Sequence, residues 1–141
     1  MSTEENKKVV NAFIDRLFQT RDLAVLDQTM PADVVAHPIP SGYPMGDRAG
    51  LRDSLQKLFA AFPDLRVSVR DLIAENDTVV VRGTIAGTQA GEYKGIPPMG
   101  KHFSVPTLQV MEVREGKIVE LWFQHDSLSI VEQLGGRVAF P

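Results

Sequence analysis

The hydrophobic period of this chain changes at Pro63, and that change restricts the fold more than any other feature. Before it, Val9, Val10, Phe13, Ile14, Leu17 and Phe18 recur three or four positions apart, the spacing of one buried helix face. Ser2 and Glu5 have capping-box spacing at its start. A second, short helix is expected over residues 23–30, stopped by Pro31. Leu51, Leu55, Leu58, Phe59 and Phe62 mark a third helix that ends at Pro63. Between these two, residues 33–37 read as extended, because Val34-Val35 is β-branched and Pro38 biases His37 away from helix. Beyond Pro63 the period is two: Leu65, Val67 and Val69 alternate with Arg66, Ser68 and Arg70. Asn76-Asp77 turns the chain into a strand over 78–85. A loop rich in Gly and Pro precedes two long strands, 103–113 and 117–124, joined by a tight turn at Glu115-Gly116. Helices first and an antiparallel meander second make an α+β fold, with the helices on one face of a curved antiparallel sheet.

The chain has 141 residues, the length of one domain (1–141) with one real core. Its formal net charge of −3 offers no basic stripe to neutralise phosphates, so nucleic acid is not an expected partner. No apolar run approaches the roughly 20 residues that span a bilayer, and membrane partners are not expected. The opening Met1-Ser2-Thr3-Glu4-Glu5 is acidic and polar, unlike a secretory signal, and a cytoplasmic location is the default. The sequence contains no cysteine, which excludes thiolate nucleophiles, disulfides and Cys-ligated metal. The three histidines lack the i, i+4 or His-x-His spacing of a zinc site. No metal is implied.

The hairpin permits a sharper expectation. With Glu115-Gly116 as a two-residue turn, Arg114 opposes Lys117 and the pairing runs outward two by two. Thr107, Gln109, Trp122 and Gln124 then share one face, leading to Asp126 at the strand end. Leu108, Val110, Leu121 and Phe123 share the other. A Trp among neutral polar groups and one acid is how small-molecule pockets are lined. The alternative is a simply solvated face, which Trp122 at its centre argues against, so the first face is expected to be the pocket. The second is too apolar to leave wet, and a homodimer is expected on that ground. Asp126, immediately before Ser127-Leu128-Ser129-Ile130, has two readings. It is either a helix N-cap or, with Ser127 capping in its place, a general base at the pocket mouth.

Several runs together carry a resemblance. They are Ala61-Phe62-Pro63-Asp64-Leu65-Arg66-Val67, Asp71-Leu72-Ile73-Ala74-Glu75, Gly95-Ile96-Pro97-Pro98-Met99-Gly100-Lys101, Gly116-Lys117-Ile118-Val119-Glu120-Leu121-Trp122, and Asp126 with Gln133-Leu134-Gly135. In this order they resemble the SnoaL-like polyketide (ester) cyclases of the nuclear transport factor 2-like superfamily, over essentially the whole chain. The resemblance implies a cone-shaped α+β barrel. It also implies a cofactor-free intramolecular aldol-type ring closure, or a related proton transfer, on a small hydrophobic or aromatic carbonyl substrate. One aspartate, matched here by Asp126, would be the general acid/base. At His37 the family often has a cavity-facing histidine, which implies a substrate-binding role; the alternative is a core or surface histidine hydrogen-bonded locally. Trp122, Gln124, Gln109 and Thr107, from the hairpin reading, are expected to bind substrate with it. Met99, Pro106-Thr107 and Leu121 depart from the family pattern and make the cavity rim more apolar.

The other residues have plainer readings. His125 is expected in core or interface, opposite Asp126, and His102 at the surface. Tyr43 and Tyr93 lie in Gly-rich loops that either lid the cone or are simply exposed. The alternatives to a cyclase are a module of the same fold that only binds a small ligand or only dimerises, and a dehydratase or isomerase of the same superfamily. A dehydratase would pair His37 with Asp126.

Overall fold

The computed structural model describes residues 2–37 and 46–140. The expected loop of Pro38, Pro40, Gly42 and Pro44, with Tyr43, lies outside the described residues. Helix α1 (Thr3–Ile14) starts with the capping box: Glu5 N–H donates to Ser2 Oγ and Ser2 N–H to Glu5 Oε2. It continues as a π-helical turn, Asp15–Gln19, that carries the buried Leu17 and Phe18. Then follow α2 (Ala24–Thr29), β1 (Val35–His37), α3 (Arg48–Ala61), β2 (Arg66–Glu75), β3 (Thr78–Thr88), β4 (His102–Arg114), β5 (Lys117–His125) and α4 (Ser127–Gln133). Helix α3 stops one residue before Phe62, the position that Pro63 pushes out of helical geometry.

The five strands form one curved, unclosed sheet in the order β1-β5-β4-β3-β2. All neighbours are antiparallel except β1, which lies parallel to β5 at the edge. Two bulges bend the sheet, one in β2 between Val69 and Asp71 and one in the β4–β5 ladder. Gly83 is where the first bulge closes in: a Cβ there would lie 2.1 Å from Ser68 O, so only glycine fits. The helices cover the concave face. Phe13, Leu17, Phe18, Leu51, Leu55 and Phe62 meet Val67, Val79, Val81, Met111, Leu121 and Phe123 in one buried core.

The second bulge corrects the expected register. The turn forms as read, with Glu115 and Gly116 both at positive φ (49° and 76°) and Arg114 opposite Lys117. Val113 then pairs with Ile118 but Glu112 with Glu120, so Val119 is an extra residue. From there the parity of β5 is reversed. Gln109 pairs with Phe123 and Val110 with Trp122. Thr107 and Gln109 do face inward, but with Leu121, Phe123 and His125. Trp122 and Gln124 face outward with Leu108 and Val110. The expectation that Trp122 and Gln124 share a pocket with Gln109 is therefore overturned, and Leu121 and Phe123 belong to the core.

Candidate active site in the cone

Strand β5 delivers three consecutive side chains to three different places. Gln124 is exposed on the convex face. His125 turns inward, opposite Thr107. Asp126 ends the strand and caps α4: its Oδ1 accepts from Ser129 N–H at 3.0 Å. This satisfies one of the free amides of the helix start. Ser127 does not substitute for it, since its Oγ is sealed and without a partner. Asp126 is exposed and borders an open groove of about 420 Å³ with Pro106, Thr107, Leu108, Gln124 and His125. The expectation that it faces the interior beside Trp122, across from His37, is corrected: it stands at the lip, with one carboxylate oxygen engaged by the helix.

The interior itself is a narrow cavity of about 10 Å³ lined by Phe18, Leu55, Leu58, Ile85, Gln109, Phe123 and His125. That is room for roughly one water, so an aromatic ligand enters only if side chains move aside. Phe18 walls one side of the cavity from the π-helical turn that continues α1 and packs edge-to-face on Phe59 at 6.3 Å. π-Turns of this kind recur at functional sites. Two polar groups enter the apolar lining. Gln109 is 1% exposed, and its Oε1 is sealed with no partner; so is His125 Nδ1. Burial, assisted by the Lys94 ammonium, pushes the His125 pKa down to about 4, so the ring is neutral at pH 7. Thr107 is buried beside them, its Oγ1–H donating to Gln124 O at 3.4 Å.

His37 and Trp122 meet, but outside the cone. Their rings stack at 4.5 Å and 5°, and His37 Nε2–H donates to Glu120 Oε2 at 2.6 Å. A continuous row crosses all five strands of the convex face: His37, Trp122, Val110, Val80 and Ile73, each paired with the next. Tyr93 is neither a lid nor exposed: it is buried edge-on against Phe62 at 5.1 Å. His102 lies at the surface. Among the described residues no three His, Asp or Glu side chains gather as a metal site requires.

The model of the SnoaL-like polyketide cyclases matches residues 8–134. The chain belongs to this family. Solved members and neighbours share its cone. IdmH of Streptomyces antibioticus, a proposed polyketide cyclase, is 30% identical over 92% of this chain and 98% of its own, with a TM-score of 0.80. AclR of Streptomyces galilaeus, a proposed hydroxylase, is 25% identical over 99% and 91%, with a TM-score of 0.83. A proposed SnoaL-like polyketide cyclase of Jannaschia sp. CCS1 is 23% identical over 96% and 95%, with a TM-score of 0.86, a likeness of fold. No curated protein matches the chain. Proposed cyclases and a proposed hydroxylase share this cone, and a fold by itself does not specify a reaction.

His125, expected in core or interface, is in the interior; its place in the cavity was not foreseen.

Proposed function

We propose that this cyclase-family chain closes a ring, or performs a related proton transfer, on a small aromatic carbonyl substrate held in the cone, without a cofactor. The observation that carries this reading is an apolar interior containing two unpartnered polar groups, Gln109 Oε1 and His125 Nδ1, with a carboxylate, Asp126, directly after His125 at the lip. In the proposed aldol step Asp126 takes a proton from an acidic methylene. The electron pair of the broken C–H bond forms a C–C bond to the acceptor carbonyl carbon, and the proton returns to the resulting alkoxide. A methylene between a carbonyl and a conjugated ring is already acidic, so a positioned base and a shaped pocket supply what the step needs. The apolar row on the convex face supports a homodimer as the working assembly.

A second reading, a ligand-binding module without catalysis, is favoured by one observation: Asp126 is exposed and already serves as a cap. Asp126→Asn separates the two. Asn caps about as well as Asp, so the fold persists, whereas a general base removed in this way lowers turnover of an aromatic polyketide ester by roughly 10²-fold or more. Full turnover in Asp126→Asn removes the carboxylate from the mechanism.

A further inference from the structure

We propose that His125 is the group that holds the substrate's carbonyl oxygen, donating an Nδ1–H hydrogen bond inside the cone with the Gln109 amide beside it. This rests on the reading of the cone as the substrate site. It assigns a contact to a residue that a regular hairpin would put outside, because only the extra residue at Val119 turns His125 inward, opposite Thr107.

Three observations support it. His125 and Gln109 line the same cavity, one on β5 and one on β4. The Nδ1 of the first and the Oε1 of the second are sealed from solvent and unpartnered. Six buried polar atoms among the described residues lack a partner, and these two are the ones whose residues line one apolar cavity. Their convergence there, not the missing partner alone, points to an oxygen-bearing guest. A neutral imidazole offers one donor and one acceptor, so His125 Nδ1–H can donate to a carbonyl or phenolic oxygen, while Gln109 Oε1 can accept from a phenolic or enolic O–H on the same guest. A carboxylate would satisfy only the first. The ring stays neutral because it is buried and because the Lys94 ammonium opposes a second positive charge. A neutral imidazole N–H can donate a hydrogen bond to an oxygen as electron density builds on it. The rest of the lining, Phe18, Leu55, Leu58, Ile85 and Phe123, offers only apolar contact, so the orientation of a flat aromatic guest falls to these two groups.

The test uses the full chain and two probes of the same shape, 2-naphthol and naphthalene. In the wild type 2-naphthol binds about tenfold more tightly than naphthalene, the ratio given by one buried hydrogen bond. Only 2-naphthol moves the imidazole ¹⁵N resonances of His125. His125→Phe brings the ratio close to one while keeping naphthalene binding, and His125→Asn, whose amide reaches the Nδ1 position, restores part of it. Equal binding of the two probes by the wild type, as expected if the pair only shares a structural water, overturns the assignment but leaves the cone as the binding site. A ratio that survives His125→Phe overturns it too. If neither probe binds the wild type, the reading of the cone fails, and this inference with it. Should His125→Phe not fold, the wild-type ¹⁵N response and His125→Asn decide the question.

Discussion

On the concave face of the sheet, Val81, Met111, Leu121 and Phe123 are sealed by the chain's own helices. On the convex face, the row from His37 through Trp122, Val110 and Val80 to Ile73 stays at the surface, with Ile73 55% and neighbouring Leu108 48% exposed. Both faces are apolar, yet only one is core. The lesson is that hydrophobicity along β4 and β5 does not say which face is which. The single extra residue Val119 does, by moving Trp122 out and His125 in. The aromatic residue that looks most like a pocket wall thereby joins a surface, and the histidine that looks structural joins the cavity.

The largest test of that contrast is to truncate one aromatic residue on each face. Phe123→Ala removes a ring that is 3% exposed and lines the cavity, and is expected to cost about 3–5 kcal/mol in chemical denaturation. Trp122→Ala removes mainly its stack on His37 and is expected to cost about 1 kcal/mol. Similar losses at the two positions would break the assignment of faces.

Next in size is a pH effect specific to the concave side. The His125 pKa is depressed from its ordinary value near 6.5 to about 4 in the folded chain. The unfolded chain therefore takes up a proton on His125 as pH falls through 6.5, while the folded chain does not until about 4. Stability is fully present above pH 6.5, declines between 6.5 and 4, and gains no further penalty from this group below that. The sum is about 3 kcal/mol. The slope should disappear from His125→Gln when unfolding free energy is measured across this range. A wild-type slope that persists in the variant means that other groups carry it.

The convex face predicts an effect on association rather than on folding. Leu108→Lys places a charge on an exposed position, so the monomer should keep its stability within about 0.5 kcal/mol. A dimer built on this face would have to desolvate the new charge, and should weaken by about 2 kcal/mol, roughly thirtyfold in Kd. Sedimentation equilibrium reads this directly. A wild-type chain that is monomeric at micromolar concentration ends the dimer proposal, and the row then needs another occupant.

Much of this architecture could be read before any coordinates. The break of period at Pro63, the Ser2–Glu5 box, the stop before Pro63 and the Glu115-Gly116 turn all follow from local chemistry, which a short window contains. The faces of β5 do not, because Leu121, Trp122 and Phe123 are apolar in both parities and either register buries a plausible set. The choice is made by packing: Leu121 and Phe123 are buried in the core shared with the helices, and the bulge absorbs the mismatch with the turn. Thr107 and Gln109 were legible as interior residues because β4 has no such insertion. The parallel pairing of β1 beside β5 is non-local, and nothing in residues 33–37 announces it.

The smallest expected effect concerns the residue where both faces end. Asp126 closes β5 and opens α4 with a single bond, Oδ1 to Ser129 N–H at 3.0 Å. If capping is its structural work, Asp126→Ala should lower stability by about 1 kcal/mol, while Asp126→Asn should change it by only a few tenths, because the amide oxygen accepts the same bond. This pair of variants separates two roles that a single substitution confounds. Ala removes both cap and carboxylate, whereas Asn removes the carboxylate alone. A base acting from the lip predicts that Asn and Ala lose turnover alike although only Ala loses stability. A cap and nothing more predicts that activity follows stability, intact in Asn and reduced in Ala only near its unfolding midpoint. Equal stability in all three chains would mean that the bond to Ser129 contributes little. Asp126 would then be held at the lip by the end of the strand alone, with both carboxylate oxygens available to whatever enters beside His125.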